Sequence, residues 1–341
     1  PAFYGSFLHG CAVLTLILCV GGLELCVFLL DGGAELVPAA LVDESRGADL
    51  FHEILMLFER LVRVQIVGKA QLRAQLAALG LAEEQLLGIH ILYPGLIDAM
   101  TERLSFSAVI RSWQQCCPTI LPDFRAAFPD AYVMLSNNAA AVAYSAFLRD
   151  TEPPPLPLLV MTVQEGIDAG AVLPGGRSMP LEAGHISIDR NGPVCNCGNR
   201  GCLETFCSTT ALFARLRAAG IPVSYQDIYG SDPNEAAIAE LAVAFTSGDE
   251  AVTACLQRYG MDLCCAIVSL VNLLDVRAVR LGGFPYLLGE PFAELLRSIL
   301  AEKFHILTST GALNLQLFDC KYEDVRKAAV LQTLEAIFSK H

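Results

Sequence analysis

The chain has 341 residues, 54% of them hydrophobic, and a formal net charge of −13 from 36 acidic and 23 basic side chains. That length exceeds what one small core needs and suits two lobes. The acidic balance, with no cluster of Lys or Arg, withholds the phosphate-neutralising surface that nucleic-acid binding requires, which makes this chain by itself a poor DNA binder. Its thirteen cysteines are an odd count, and Cys11, Cys19, Cys26, Cys264 and Cys265 sit in apolar runs where a thiol acts as a small hydrophobe. With no signal peptide in the sequence, this usage points to a reducing cytoplasm rather than a disulfide framework. The sequence begins at Pro1 rather than Met, so a preceding segment is expected.

From Leu14 to Leu30 the pattern predicts a β-hairpin closed by Gly21-Gly22, continued through Asp31-Gly32-Gly33 into a strand near Glu35 to Val42. The run Cys11 to Leu30 is long and apolar enough to raise a membrane span, but Glu24 and the glycine pair interrupt it and favour two buried strands. Leu50, Phe51, Ile54, Leu55, Phe58, Leu61 and Val62 share one face of a helix over Asp49 to Val64, and a second helix is predicted over Ala70 to Leu79. A strand over Leu87 to Leu92 leads into the turn Tyr93-Pro94-Gly95.

The strand Ala131 to Leu135 precedes SNNAAAVAYSAF, where Ser136 or Asn137 is placed to cap the helix that the alanines begin. Thr151 to Pro157 reads as a proline-rich surface linker near the lobe boundary. After it come a strand over Leu158 to Val163, a hairpin through Pro174-Gly175-Gly176, and a mostly helical stretch from Thr209 to Leu274. The strand Ala278 to Leu281 ends in Gly282-Gly283, and the chain closes with a helix, the strand Leu313 to Phe318 and a helix over Glu323 to Phe338. Strand and helix alternation in each half predicts an α/β protein of two lobes with a ligand cleft between them.

Within the second half, CNCGNRGC carries three thiols in eight residues, and His185 lies ten residues before Cys195. His185, Cys195, Cys197 and Cys202 make a closed one-nitrogen, three-sulfur set suited to structural zinc. The ligands are not split into two pairs flanking a helix, as a DNA-reading finger requires. Redox chemistry is disfavoured because Cys-x-Cys without a neighbouring Lys or helix start offers little to lower a thiol pKa. Loop thiols without a metal are the remaining reading.

With its flanks, LEAGHISIDRNGPVCNCGNRGCLET resembles the signature of the ROK family of sugar-responsive repressors, uncharacterised reading frames and sugar kinases. Weaker correspondences fall at Gly21-Gly22, at GIHILYPGLID from Gly88 to Asp98, at Asn137 and at Leu281 to Gly283. The resemblance implies a two-lobed actin-like ATPase fold of the ribonuclease H-like type. Its N-terminal lobe would span 1–135, completed by a helix over 322–341, and its C-terminal lobe 136–321 would carry the zinc knuckle. It implies a cytoplasmic protein, dimeric or of higher homo-oligomeric state, with no membrane role.

The residues matching the family's sugar-binding side chains are Asn137, Asn138, Glu182, His185 and Glu204, whose amides and carboxylates suit sugar hydroxyls. His185 would put one ring nitrogen on zinc and the other toward the sugar. Each has a plainer role open to it: Asn137 as a helix cap, Glu182 and Glu204 as solvated loop charges. Trp113 is open between pocket wall and core.

Similar kinases carry Asn-Asp, the Asp serving as base, where this chain has Asn137-Asn138; a carboxamide cannot take the proton. Where their first phosphate loop has Asp and Thr around the glycine pair, Cys19 and Leu23 stand here. Where the second runs Gly-Thr-Gly-x-Gly-x-Gly, QEGIDAG puts Glu165 and Asp168. No catalytic residue is therefore assigned. The expectation is a sugar sensor whose DNA-reading helix-turn-helix lies upstream of this chain; a divergent ATP-dependent sugar kinase is the alternative, and a scaffold binding neither sugar nor ATP a third.

Overall fold

A computed structural model of the chain describes three strands within 16–38 by their backbone, and then most of 69–106, 120–150, 152–223, 232–304 and 313–338. The chain divides into two compact units, 1–141 with 325–341, and 142–324.

The first unit opens with an antiparallel meander of β1 (Leu16–Cys19), β2 (Glu24–Leu30) and β3 (Leu36–Pro38). Leu16 pairs with Val27 and Cys19 with Glu24, so the described residues of the apolar run that could have passed for a membrane span are two paired strands. The helix expected over 49–64 and Trp113 lie outside the described residues, while residues between 69 and 77 are helical.

β4 (Gly88–Tyr93) is buried along its whole length and pairs in parallel with β7 (Tyr132–Asn137), from Gly88 opposite Tyr132 to Tyr93 opposite Asn137. Covered faces explain why β4 reads as a continuous apolar run instead of alternating. Between them lie the β5 (Leu96–Asp98) and β6 (Arg103–Phe106) hairpin and helix α1 (Ile120–Ala127). Leu72, Leu76, Ile89, Ile91, Phe124 and Val133 form this unit's core.

Helix α2 (Asn138–Arg149) follows β7 directly. The division between units falls inside α2 and inside the last helix, not in the proline stretch 151–157, which lies within the second unit. Helices can carry a chain from one unit to the next without leaving backbone groups unsatisfied, so no linker is needed there.

The second unit is built on a five-stranded sheet of order β10-β9-β8-β11-β12. β8 (Leu158–Val163), β11 (Ala278–Gly283) and β12 (Asn314–Leu317) run parallel; β9 (Ile167–Val172) and β10 (Ser178–Leu181) extend it as an antiparallel edge.

Helices α3 (Glu204–Cys207), α4 (Thr209–Ala218), α5 (Asp232–Thr246) and α6 (Glu250–Leu274) lie between β10 and β11 in sequence; α7 (Phe284–Leu288) and α8 (Glu290–Lys303) lie between β11 and β12. α9 (Tyr322–Phe338) ends the described chain.

One sheet face packs on α6, α7 and α8 through Tyr259, Phe284 and Phe292, whose ring centroids lie 5.7 to 6.4 Å apart. On the other face, Ala143 and Ala146 of α2 meet Leu158, Val160 and Val172. Apolar cover on both faces makes this an α/β layer arrangement.

The Asp249 carboxylate caps α6 by accepting from the Ala251 and Val252 amides at 3.0 Å, which is worth about 1 kcal/mol. By length and composition α6 could cross a membrane; its apolar face, with Cys255, Tyr259, Leu263 and Ile267, is instead spent on this core.

Candidate functional site

The site grows from the edge strand β9 of the second unit. β10 runs into Glu182 and then a single 3-10 turn, Ala183–His185. That turn lies directly on β9, since a Cβ on Gly184 would stand 2.6 Å from the Ile167 carbonyl oxygen. Only glycine permits the approach, and it delivers His185 to the loop beyond.

The loop closes on itself through the Ile188 amide donating to the Gly201 carbonyl (2.8 Å), Gly201 to Pro193 (2.8 Å), Cys195 to Asn199 (2.8 Å) and Leu203 to Ile186 (2.8 Å). Gly201 has φ +66°, and a Cβ there would fall 1.6 Å from the Asp189 carbonyl oxygen. The glycines in this motif are thus a backbone requirement of the knuckle.

Inside it, one donor atom from each of His185, Cys195, Cys197 and Cys202 lies within 4.8 Å of all the others. The Cys195 Sγ is 3.7 Å from His185 Nδ1, and Cys197 Sγ is 3.6 Å from Cys202 Sγ. A tetrahedral zinc ion with bonds of about 2.3 Å to sulfur and about 2.0 Å to nitrogen puts neighbouring ligand atoms about 3.5 to 3.8 Å apart, which two of the six separations match. The donors fit a soft divalent ion, with Cys195 and Cys202 buried and Cys197 half-buried. Burial, and then the neighbouring thiols, push Cys202 up to about 12; gathering thiolates here calls for a cation.

Because Nδ1 faces the thiols, the Nε2 of His185 is the ring nitrogen left for other partners. Glu204 opens α3 directly after Cys202-Leu203, and its Oε2 accepts from the Ile167 amide at 3.3 Å. Glu182, His185 and Glu204 are therefore gathered around the start of β9, together with Asp168.

The Asp168 carboxyl is pushed up to about 6, first by burial and then by the charges of Glu182 and Glu204. Glu182 is also raised, by burial and by Glu204, with His185 pulling the other way. Both side chains still reach solvent. Dense surroundings and like charge act here rather than full enclosure.

The segment QEGIDAG is a tight turn, with the Gln164 amide donating to the Gly166 carbonyl at 2.8 Å, followed by strand β9. Asp168 is thus a strand residue opposite Thr162.

Asn137 and Asn138 belong to the first unit. Asn137 is buried and engaged at both ends of its amide: Oδ1 accepts from the Ala139 amide (2.7 Å), capping α2, and Nδ2 donates to the Gly95 carbonyl (2.8 Å). Asn138 is the first residue of α2, and its Oδ1 is buried with no hydrogen-bond partner among the described residues. Cys19 ends β1; Gly21, Gly22 and Leu23 lie outside the described residues.

Ser136 takes another part. It meets His90 Nε2 at 2.6 Å, while His90 Nδ1 meets the Ala329 carbonyl at 3.1 Å. A carbonyl only accepts, so Nδ1 carries the proton and the Ser136 hydroxyl donates to Nε2. Sequence reasoning passed over this pair, although a lone His inside the apolar run GIHILY is itself a sign of a buried, partnered ring.

Solved structures with this fold include a ROK hexokinase from Thermus thermophilus (TM-score 0.61, 21% identity, 96% of this chain and 99% of that one). A putative sugar kinase from Cytophaga hutchinsonii (TM-score 0.66, 17% identity, 95% and 100%) is another. A ROK transcriptional regulator homologous to E. coli MLC also matches (TM-score 0.57, 22% identity, 95% and 77%). These define the class: an α/β protein of the actin-like ATPase fold seen in sugar kinases and regulators.

The profile of the ROK family matches residues 59–308, and the chain belongs to that family. Curated relatives include the xylose repressor of Bacillus subtilis, 29% identical over 204 residues covering 58% of this chain and 48% of that protein. The N-acetylmannosamine kinase of Haemophilus influenzae is 30% identical over 159 residues, 45% of this chain and 49% of that protein. The chain spans about half the length of these relatives.

Proposed function

We propose that the chain is the sugar-sensing part of a ROK-type transcriptional regulator, which binds a monosaccharide or amino sugar without phosphorylating it. The observation that carries this reading is Asp168 in QEGIDAG, where similar kinases have their second phosphate loop, with its carboxyl set beside Glu182 and Glu204 at the start of β9. Each phosphate charge brought within about 4 Å of such a carboxylate costs about 1 to 4 kcal/mol near a protein surface. Neutral hydroxyls are instead welcomed, at about 1.5 to 3 kcal/mol per hydrogen bond to a charged group.

Asn138 adds to this, since its amide accepts and donates hydrogen bonds but takes no proton from a sugar hydroxyl. Asn137, Glu182, His185 and Glu204 are the other sugar ligands proposed, with Asn137 keeping its Gly95 and Ala139 bonds.

A zinc ion, held by His185, Cys195, Cys197 and Cys202, is structural in this proposal. It fixes the His185 tautomer and the path that places Glu182 and Glu204. The sugar acts by binding one arrangement of the protein more tightly than another, which is the only way a ligand shifts such an equilibrium. DNA is contacted by a helix-turn-helix outside this chain, and the regulator works as a homodimer in the cytoplasm.

The second reading, a divergent sugar kinase, draws on the 30% identity to the N-acetylmannosamine kinase. Titration calorimetry with glucose, xylose, N-acetylglucosamine and N-acetylmannosamine, with zinc present, is expected to give saturable heat for at least one sugar. A coupled assay for ADP with the same panel is expected to stay at background. Absence of any sugar binding at millimolar concentration overturns the sensor, and magnesium-dependent ADP release installs the kinase in its place.

A further inference from the structure

Glu204, half-buried, is the first residue of α3, a single turn of four residues, Glu204–Cys207. A turn that short has little stability of its own, since nucleating a helix fixes several residues for each hydrogen bond gained. The aim of its first side chain is therefore set by what holds the turn from outside.

Backbone bonds hold its two ends. Before it, the Leu203 amide donates to the Ile186 carbonyl at 2.8 Å; after it, the Thr209 amide donates to the Gln164 carbonyl at 2.7 Å, in the turn that leads into β9. Two tethers leave a single turn free to roll about the line between them, and that roll swings Glu204 toward or away from Ile167. The Glu204 Oε2 meets the Ile167 amide at 3.3 Å, a long hydrogen bond that follows the roll more than it enforces it.

A third tether comes from α6. The Tyr259 hydroxyl donates to the Cys207 carbonyl at 2.8 Å, and the Cys207 thiol reaches back to the Tyr259 carbonyl at 3.8 Å. The neighbouring Phe206 carbonyl meets Arg215 Nη2 at 3.4 Å, so the phenol makes the shorter of the two side-chain tethers. Carbonyls at the end of a helix have no partner within it, and at Cys207 the phenol supplies one. Tyr259 is fully buried, with its ring packed on Phe284 and Phe292 at centroid distances of 5.7 and 6.0 Å. Close packing holds the ring in one orientation and so gives the hydroxyl a fixed place.

We propose that Tyr259 is a positioning residue for the sugar site: by pinning the Cys207 carbonyl it fixes the roll of α3 and, with it, the aim of the Glu204 carboxylate. This role rests on Glu204 being a sugar ligand, as proposed for the sensor, and adds to the site a buried residue that touches no ligand.

Tyr259→Phe removes the phenolic oxygen and keeps the ring in its packing. Hydrogen exchange of the Ile167 amide, followed by NMR on the full chain, is expected to speed up about tenfold, while amides of β8 and β11 in the same sheet keep their rates. Calorimetry with glucose, xylose, N-acetylglucosamine and N-acetylmannosamine, with zinc present, is expected to show affinity falling about tenfold, as one lost hydrogen bond to a buried carbonyl allows. In a Glu204→Ala background Tyr259→Phe is expected to change both readings by less than about twofold, because no carboxylate is left to aim.

An unchanged Ile167 rate, equal acceleration across the whole sheet, or an undiminished effect in the Glu204→Ala background overturns the positioning role. If no sugar of the panel binds the wild-type chain, the sugar reading falls by itself, and exchange at Ile167 still decides whether Tyr259 aims Glu204.

Discussion

His90 gives the sharpest test of the first unit. The ring is fully buried on β4, between the Ser136 hydroxyl and the Ala329 carbonyl of α9, and burial drives its pKa down to about 4, the Ala329 carbonyl pulling it partway back. In the unfolded chain an imidazole titrates near the ordinary 6.5. Between these values the unfolded state binds the proton and the folded state does not, so stability rises with pH across that window. It is fully present above about 6.5 and is lost as pH falls toward about 4.

A separation of about 2.5 pKa units corresponds to about 3 kcal/mol at full loss, of which about 2 kcal/mol falls between pH 7 and pH 4.5. The contribution is isolated with His90→Asn, whose amide can still donate to the Ala329 carbonyl but does not titrate. Urea denaturation of both proteins at pH 7.0, 5.5 and 4.5 is expected to show the wild type losing its advantage over the variant by about 2 kcal/mol on acidification. A gap that stays constant across that range would show that the ring is not held neutral by burial.

Other expectations follow from single contacts. Gly201→Ala puts a methyl into the Asp189 backbone carbonyl at a positive φ, so bound zinc per chain, measured by elemental mass spectrometry, is expected to fall well below one equivalent; full retention refutes the closed knuckle. Asp150→Ala strips Arg280, whose side chain is only 5% exposed, of its 2.7 Å partner, and is expected to cost about 3 kcal/mol in chemical denaturation; a loss under about 1 kcal/mol would mean the carbonyl and amide oxygens around Arg280 suffice. The folded-state pKa of Asp168 is raised, so its ionisation weakens the fold as pH climbs through about 6. Asp168→Asn should therefore raise the melting temperature more at pH 7.5 than at pH 4.5, and the reverse order counts against the carboxylate cluster.

Much of the architecture was legible because apolar runs and breakers are local signals. Leu158 to Val163 is a strand in both pattern and structure, and so are the hairpin past Gly175-Gly176 and the strand ending in Gly282-Gly283. The Cys/His cluster was legible for the same reason: His185, Cys195, Cys197 and Cys202 fall within a short segment whose glycines let it close on itself. The cap at Asn137 was one of two candidates; Ser136 lost the role because a buried imidazole, distant in sequence, claimed its hydroxyl.

What the sequence alone determined is therefore local: residue types, their spacing, the grouping of one His with three Cys, and the carboxamide at Asn138. What only the tertiary structure decided is which distant groups share a low-dielectric neighbourhood. Asp168, Glu182 and Glu204 become one electrostatic unit and His90 becomes neutral, because long-range packing brings them close enough for charge and burial to act. Coulomb and desolvation terms depend on distance in space, and separation along the chain does not encode it.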